Sequence, residues 1–205
     1  DTARFPSSSA TNSPGEVNNI VDGDRLIALL EYRNNDGAYS HNSRIPDGVT
    51  LTLTNTPTGY ALRAYGLDTQ LPENTRLTNI ISGARGAVTI LSPGAYLGVE
   101  AGGNPGVTCI LDMSDLGTFD AFVTRLYVGG TGGTTATAGK DQQSGLLKLA
   151  RTNIIRSTWG TANARGILVG YNHRAPADGG TLELGQTNAI FSDIGMDVGM
   201  RRATN

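Results

Sequence analysis

The sequence predicts an all-β solenoid, and three observations lead there. The first is a phrase used three times in the C-terminal half: Leu111-Asp-Met113, Leu147-Lys-Leu149 and Leu182-Glu-Leu184. Each is followed at a shared offset by an apolar residue, Phe119, Ile155 and Ile190. An apolar-x-Val-Gly unit comes next: Leu126/Val128/Gly129, Ile167/Val169/Gly170 and Met196/Val198/Gly199. The second is the period. Self-similarity at roughly 35 residues marks supersecondary units that stack on one another. The third is composition: 28 glycines, abundant Thr and Asn, and only 17% charged residues suit turn-rich β structure better than helices.

Taken in order, the chain divides into an N-terminal arm (1–20), an irregular β region holding early solenoid turns (21–106) and the regular repeats (107–205). The opening residues through Pro14 are small, polar and Pro-containing, which suits a flexible arm able to dock on a neighbour. Arg25–Tyr32 is a near-continuous apolar run compatible with a buried strand or a short helix, and strand is the reading adopted. Val49–Thr54 alternates apolar residues with Thr, giving a strand with one wet face. Tyr60–Tyr65, Arg76–Ile81, Ala87–Leu91 and Tyr96–Val99 follow as strands separated by Gly, Pro, Asn and Ser turns. Leu97-x-Val99 echoes the later apolar-x-Val units, so the stack is expected to begin before its clear copies.

Within a repeat, alternate side chains share a face. Leu111/Met113, Leu147/Leu149 and Leu182/Leu184 therefore point inward, and Asp112, Lys148 and Glu183 point to solvent. Val128, Val169 and Val198 belong to the same interior. Each layer's apolar row is covered only by the next layer, and each covered Leu or Ile contributes on the order of 1.5–3 kcal/mol before entropy is subtracted. Asn153 and Asn188 share a repeat position, where they either form an amide ladder along the stack or each close a local turn. The intervening segments, Gly129–Gly139 and Tyr171–Gly180, vary in length and read as loops. The first lacks the Lys-Ser/Thr ending and following helix of a phosphate-binding loop.

Residues 111–129, 147–155 and 182–193 resemble the repeats of large secreted bacterial proteins of the autotransporter-associated β-strand type. The resemblance covers about residues 85–205. It implies a right-handed parallel β-helix displayed outside the cell, as in passenger domains, and it implies location and architecture rather than an activity. The chain departs from that family in length, since such proteins are often much larger.

Candidate chemistry is sparse. A net charge of −2 gives no reason to expect nucleic acid or an anionic membrane surface as partner, and no apolar stretch is long enough for a signal peptide or a membrane span. The first residue is Asp1 rather than Met, so processing or a longer parent chain is expected. Cys109 is the single cysteine and sits in a strand pattern, as an inert buried thiol would. His41 and His173 lie in polar, turn-like contexts and read as exposed loop residues. No zinc spacing is present. Asp112, Asp115 and Asp120 with Arg125 form the densest acidic cluster, but the charge alternation at 112, 148 and 183 marks a solvated face. Asp22-Gly-Asp24 and Asn34-Asn-Asp-Gly37 offer oxygen ligands without completing a calcium loop, and read as Asx-Gly turns.

The expectation is therefore a non-enzymatic extracellular subunit without cofactor or metal, whose partners are copies of itself. The C-terminal repeat ends without a polar cap, which suggests more chain or another subunit beyond it, and end-to-end stacking would build a filament, sheath or surface layer. The runner-up is a β-helix that binds or degrades a surface polysaccharide through Asp112, Arg125, Tyr127 and Tyr171. A third is a fragment of a large adhesin.

Overall fold

The computed structural model describes residues 1–6, 16–34, 40–55, 59–66, 74–101, 107–129, 144–158, 165–170 and 179–199. No helix occurs among them, and every strand pairing is parallel. The strands are β1 (Thr2–Pro6), β2 (Asn19–Ile20), β3 (Arg25–Ile27), β4 (Leu29–Arg33), β5 (His41–Arg44), β6 (Thr50–Leu53), β7 (Tyr60–Gly66) and β8 (Arg76–Ala101). After them come β9 (Thr108–Asp112), β10 (Leu116–Val128), β11 (Ser144–Lys148), β12 (Thr152–Ser157), β13 (Ile167–Val169), β14 (Gly180–Glu183), β15 (Thr187–Ser192) and β16 (Met196–Val198).

The pairing folds these strands into a β-solenoid with three faces. On face one β2, β5, the start of β8, β9, β11 and β14 lie side by side. Face two stacks β3, β6, the middle of β8, the first part of β10, β12 and β15. Face three stacks β1, β4, β7, the end of β8, the end of β10, β13 and β16. The interior is one continuous apolar core from Leu30 to Val169, with Tyr32, Leu62, Leu97, Leu111 and Phe119 completely buried.

Register bears out the repeat phrases. Leu111, Leu147 and Leu182 are in-register partners, as are Leu97, Leu126, Ile167 and Met196, and likewise Val99, Val128, Val169 and Val198. The early echo at Leu97-x-Val99 is thus a true coil. Val49–Thr54 holds β6, with Leu51 and Leu53 buried and the threonines half exposed. The apolar run at 25–32 is not one strand: it turns a corner at Ala28 into β3 and β4, and the Ala28 amide donates to the Asp1 carbonyl. The runs within 76–99 are conversely one strand, β8, which bends around all three faces. Its Pro93 occupies a corner, where no ladder amide is required.

Three expectations are corrected. Phe119 is not the counterpart of Ile155. It pairs with Asn153, and Ala121, two residues further on, pairs with Ile155. The corner before β10 carries the additional pair Ser114-Asp115, pinned by the Asp112 carboxylate, which accepts from the Ser114 amide at 3.0 Å and from its hydroxyl at 2.6 Å. Thr2–Pro6, expected in the arm, is strand β1, because Ala3 and Phe5 alternate with Arg4 and pack on the core. Residues 7–15 of the arm lie outside the described residues. His41 is the third correction and is taken up below.

Glycine at the end of the apolar-x-Val-Gly unit has a conformational reason. Gly129, Gly170 and Gly199 take φ of 69°, 69° and 67°, where the chain leaves face three through the left-handed region. Gly83 at a face-one corner is more constrained, with φ 137° and a would-be Cβ 1.8 Å from the Ile45 carbonyl oxygen. A Gly83→Ala substitution is expected to cost about 2 kcal/mol or more, read as a lowered denaturant midpoint at unchanged m-value.

Candidate functional site

The residues singled out as structural lie in three successive coils, and the last described one, β14–β16, differs from the other two. Met113 and Leu149 are 0% and 2% exposed, whereas Leu184, which ends the third copy of the phrase, is 60% exposed. Val128 and Val169 are buried, and their partner Val198 is 65% exposed, with Met196 beside it also open. The difference is not in residue type but in cover. Among the described residues β14, β15 and β16 each pair on one side only, so inward side chains of this coil meet no further layer. This apolar surface lies beside strand edges that no other described strand pairs, the kind of surface to which further chain can add.

Asn153 and Asn188 do both of the things their repeat position allowed. Asn153 Nδ2 donates to Asn188 Oδ1 at 2.9 Å, forming the ladder, and to the Ala150 carbonyl at 2.6 Å, closing its own corner. Asn188 Nδ2 closes the next corner on the Gly185 carbonyl at 2.8 Å. The ladder stops at Asn153 because the preceding residue in that column is Phe119, which has no donor, and Asn153 Oδ1 is buried without a partner.

Outward charges form pairs between neighbouring coils. Lys148 meets Asp112 at 3.1 Å and Arg156 meets Asp120 at 2.8 Å. Burial raises the Asp112 carboxyl, but the two Ser114 hydrogen bonds and the Lys148 ammonium outweigh it, and the net displacement is downward. Asp112 and Asp120 stand on different faces, each tied to a cation. The Ser114-Asp115 corner overhangs the shorter corners at 149–151 and 184–186. Beneath it lies a groove of about 660 Å³ lined by Asp115, Lys148, Arg151, Glu183 and Gln186. Asp22 pairs with Arg25, and Asp24 accepts from the Thr50 amide at 2.8 Å, so this turn serves as a corner brace.

Face three carries a cluster of which the sequence pointed to Arg125 and Tyr127 but not to their neighbours. Tyr60, Tyr96 and Tyr127 stand in a row, with successive rings edge to face at 5.8 Å. The Arg63 guanidinium lies 4.4 Å from the Tyr60 ring and 3.8 Å from that of Tyr65, and its Nε donates to Glu100 Oε1 at 3.0 Å. Arg125 donates to the Tyr127 hydroxyl at 3.0 Å. For those neighbours the only signal was the Tyr60-x-x-Arg63-x-Tyr65 spacing, which becomes meaningful once Gly98 is known to lie beneath the Tyr60 ring.

The interior holds the correction at His41. It is fully buried in β5, in the column of Asn79, with its ring 5.6 Å from Tyr32 and 6.0 Å from Phe5. Neither ring nitrogen has a hydrogen-bond partner, and burial lowers its pKa from 6.5 to about 4. The surrounding Tyr-Ser-His-Asn-Ser lacks apolar alternation, which is why the sequence reads as a loop. Asn79 takes the neighbouring Asn34 amide at 3.2 Å and donates to the Ile110 carbonyl at 3.1 Å. Cys109 is buried as expected, and burial, with Glu100 adding to it, pushes the thiol far up. His173, Tyr171 and residues 35–37 of the Asn-rich turn lie outside the described residues, as do 130–139 of the Gly-rich loop.

Set against known protein families, curated proteins and solved structures, the chain matches none. The solenoid assignment rests on the strand ladders themselves. No helix among the described residues is long and apolar enough to cross a membrane.

Two outcomes follow from these contacts. Above pH 6.5 His41 is neutral folded or unfolded and adds no pH dependence. As pH falls from 6.5 toward 4 the unfolded chain takes the proton and the folded one does not, so stability drops by about 3 kcal/mol over that window. Melting temperatures of wild type and His41→Phe should diverge in slope there, and parallel curves would refute it. Asn153→Ala removes a corner bond and the ladder bond together. It should cost about 1–3 kcal/mol in chemical denaturation, whereas Asn188→Ala, at the half-exposed end, should cost less.

Proposed function

We propose that this chain is a structural β-solenoid subunit displayed outside the cell, which associates end to end with copies of itself into a filament, sheath or surface layer. The observation that carries the reading is the last described coil: Leu184, Met196 and Val198 occupy interior positions yet stand open beside strand edges that no other described strand pairs. Extracellular display rests on the resemblance of the repeat phrases to secreted autotransporter-associated strands. The mechanism needs no bond chemistry. Its driving force is the burial that every inner coil already enjoys, extended to a further copy.

A second reading is favoured by the tyrosine row on face three, since the half-exposed Tyr60 and Tyr96, backed by the buried Tyr127 and flanked by Arg63 and Arg125, suit an acidic sugar chain. In that case the solenoid is a polysaccharide-binding surface, and Tyr96→Ala should abolish retention on an acidic polysaccharide column.

The primary reading is tested by sedimentation and negative-stain electron microscopy over a range of concentrations. Wild type should form particles that lengthen along one axis. Val198→Asp, which puts a charge on the open end, should stay monomeric with an unchanged circular dichroism spectrum. A wild type that remains a monodisperse monomer throughout would refute the assembly role.

A further inference from the structure

Among the described residues the ladder on face three runs from β1 to β16, and its first and last strands match. The inward column that finishes at Met196 starts at Ala3, and the one that finishes at Val198 starts at Phe5. The outward column between them starts at Arg4 and finishes at Asp197. A strand laid on β16 must therefore offer apolar side chains above Met196 and Val198 and a cation above Asp197. β1 offers all three in the required alternation, with the small Ala3 over the long Met196 and the large Phe5 over the short Val198.

Resting on the end-to-end reading, we propose that the partner at the open end is a second copy of this chain, which seats its β1 on β16. The strands run parallel with Ala3 opposite Met196, Arg4 opposite Asp197 and Phe5 opposite Val198. Inside one copy Arg4 already pairs with Glu31 at 2.7 Å and Asp197 with Arg165 at 3.4 Å. At the junction Arg4 lies between Glu31 of its own chain and Asp197 of the other, so charges keep alternating in sign across it.

The topology restricts the seating further. Among the described strands, β1 stands one layer ahead of β2 and β3. No arrangement can bring β2 onto β14 and β3 onto β15 without driving β1 into β16. Face three therefore makes the contact. On the other two faces β2 and β14, and likewise β3 and β15, are then two strand spacings apart, about 9.6 Å. A junction built on one short strand pair is weak: burial of Met196 and Val198 drives it, and the Arg4–Asp197 contact fixes its register and makes it salt-sensitive.

The test is a charge exchange followed by sedimentation at low and high salt, with circular dichroism confirming that each variant folds. Arg4→Asp alone and Asp197→Arg alone should each weaken association by about tenfold or more, since each sets like charges face to face. An equimolar mixture of the two should associate again, because every junction between unlike copies then pairs opposite charges. Should the first substitution loosen β1 beside Glu31, that variant's intact tail still receives the other's head, and the mixture gives at least dimers. If wild type assembles but the single variants match it, or the mixture stays dispersed, this seating is overturned while end-to-end assembly stands. If wild type does not associate at any concentration, both fall.

Discussion

Among the described residues, an inward side chain is buried where the residues at the same position in both neighbouring coils cover it, and it stands open in the last coil, where one side is bare. That constraint, cover by column, decides what the rest of the molecule can be. Parallel in-register stacking supplies it: backbone hydrogen bonds fix the spacing between layers, and the spacing brings Leu111, Leu147 and Leu182 into van der Waals contact along one line. A residue is therefore stabilised less by its own coil than by its neighbours. The pattern explains why Leu149 and Leu184, alike in sequence context, differ so completely in exposure.

Polar residues inside the columns are tolerated where the stack supplies partners. Asn153 finds its partners in Asn188 and in its own corner, and Asn79 in Asn34 and the Ile110 carbonyl. His41 is the exception, held by two aromatic rings rather than by hydrogen bonds. A buried neutral imidazole is compatible with the apolar column at neutral pH and opposed to it in acid. His41 thus places a pH-dependent weakness near the end where β1 lies.

The fold was legible because the period of a solenoid is written in the same residues that fill it. Repeated Leu-x-Leu and apolar-x-Val-Gly phrases named the columns of faces one and three, and the Asn position named the ladder. Face two was less legible. Counting from Leu111 gave Phe119 as the partner of Ile155, because nothing in the string distinguishes the Ser114-Asp115 corner pair from strand residues. His41 was misread for a related reason: its neighbours are polar, and only the stacking of Asn79 beside it reveals an interior column. The Tyr60, Tyr96 and Tyr127 row is spread over three coils, so no local motif could have shown it.

The overhang at Ser114 and Asp115 shows that neighbouring coils need not share a perimeter. Extra backbone is parked at the bend, outside the ladders, and the lines of side chains on either side stay in phase. Such a bend is a natural place for the molecule to vary its outline: a lengthened turn makes a ledge and a shortened one a notch, with no tax on the interior. Because the ledge sits on a single edge of the prism and near one extremity, it also breaks the lengthwise sameness of the rod. The two directions along its axis can then be told apart by anything that touches its flank.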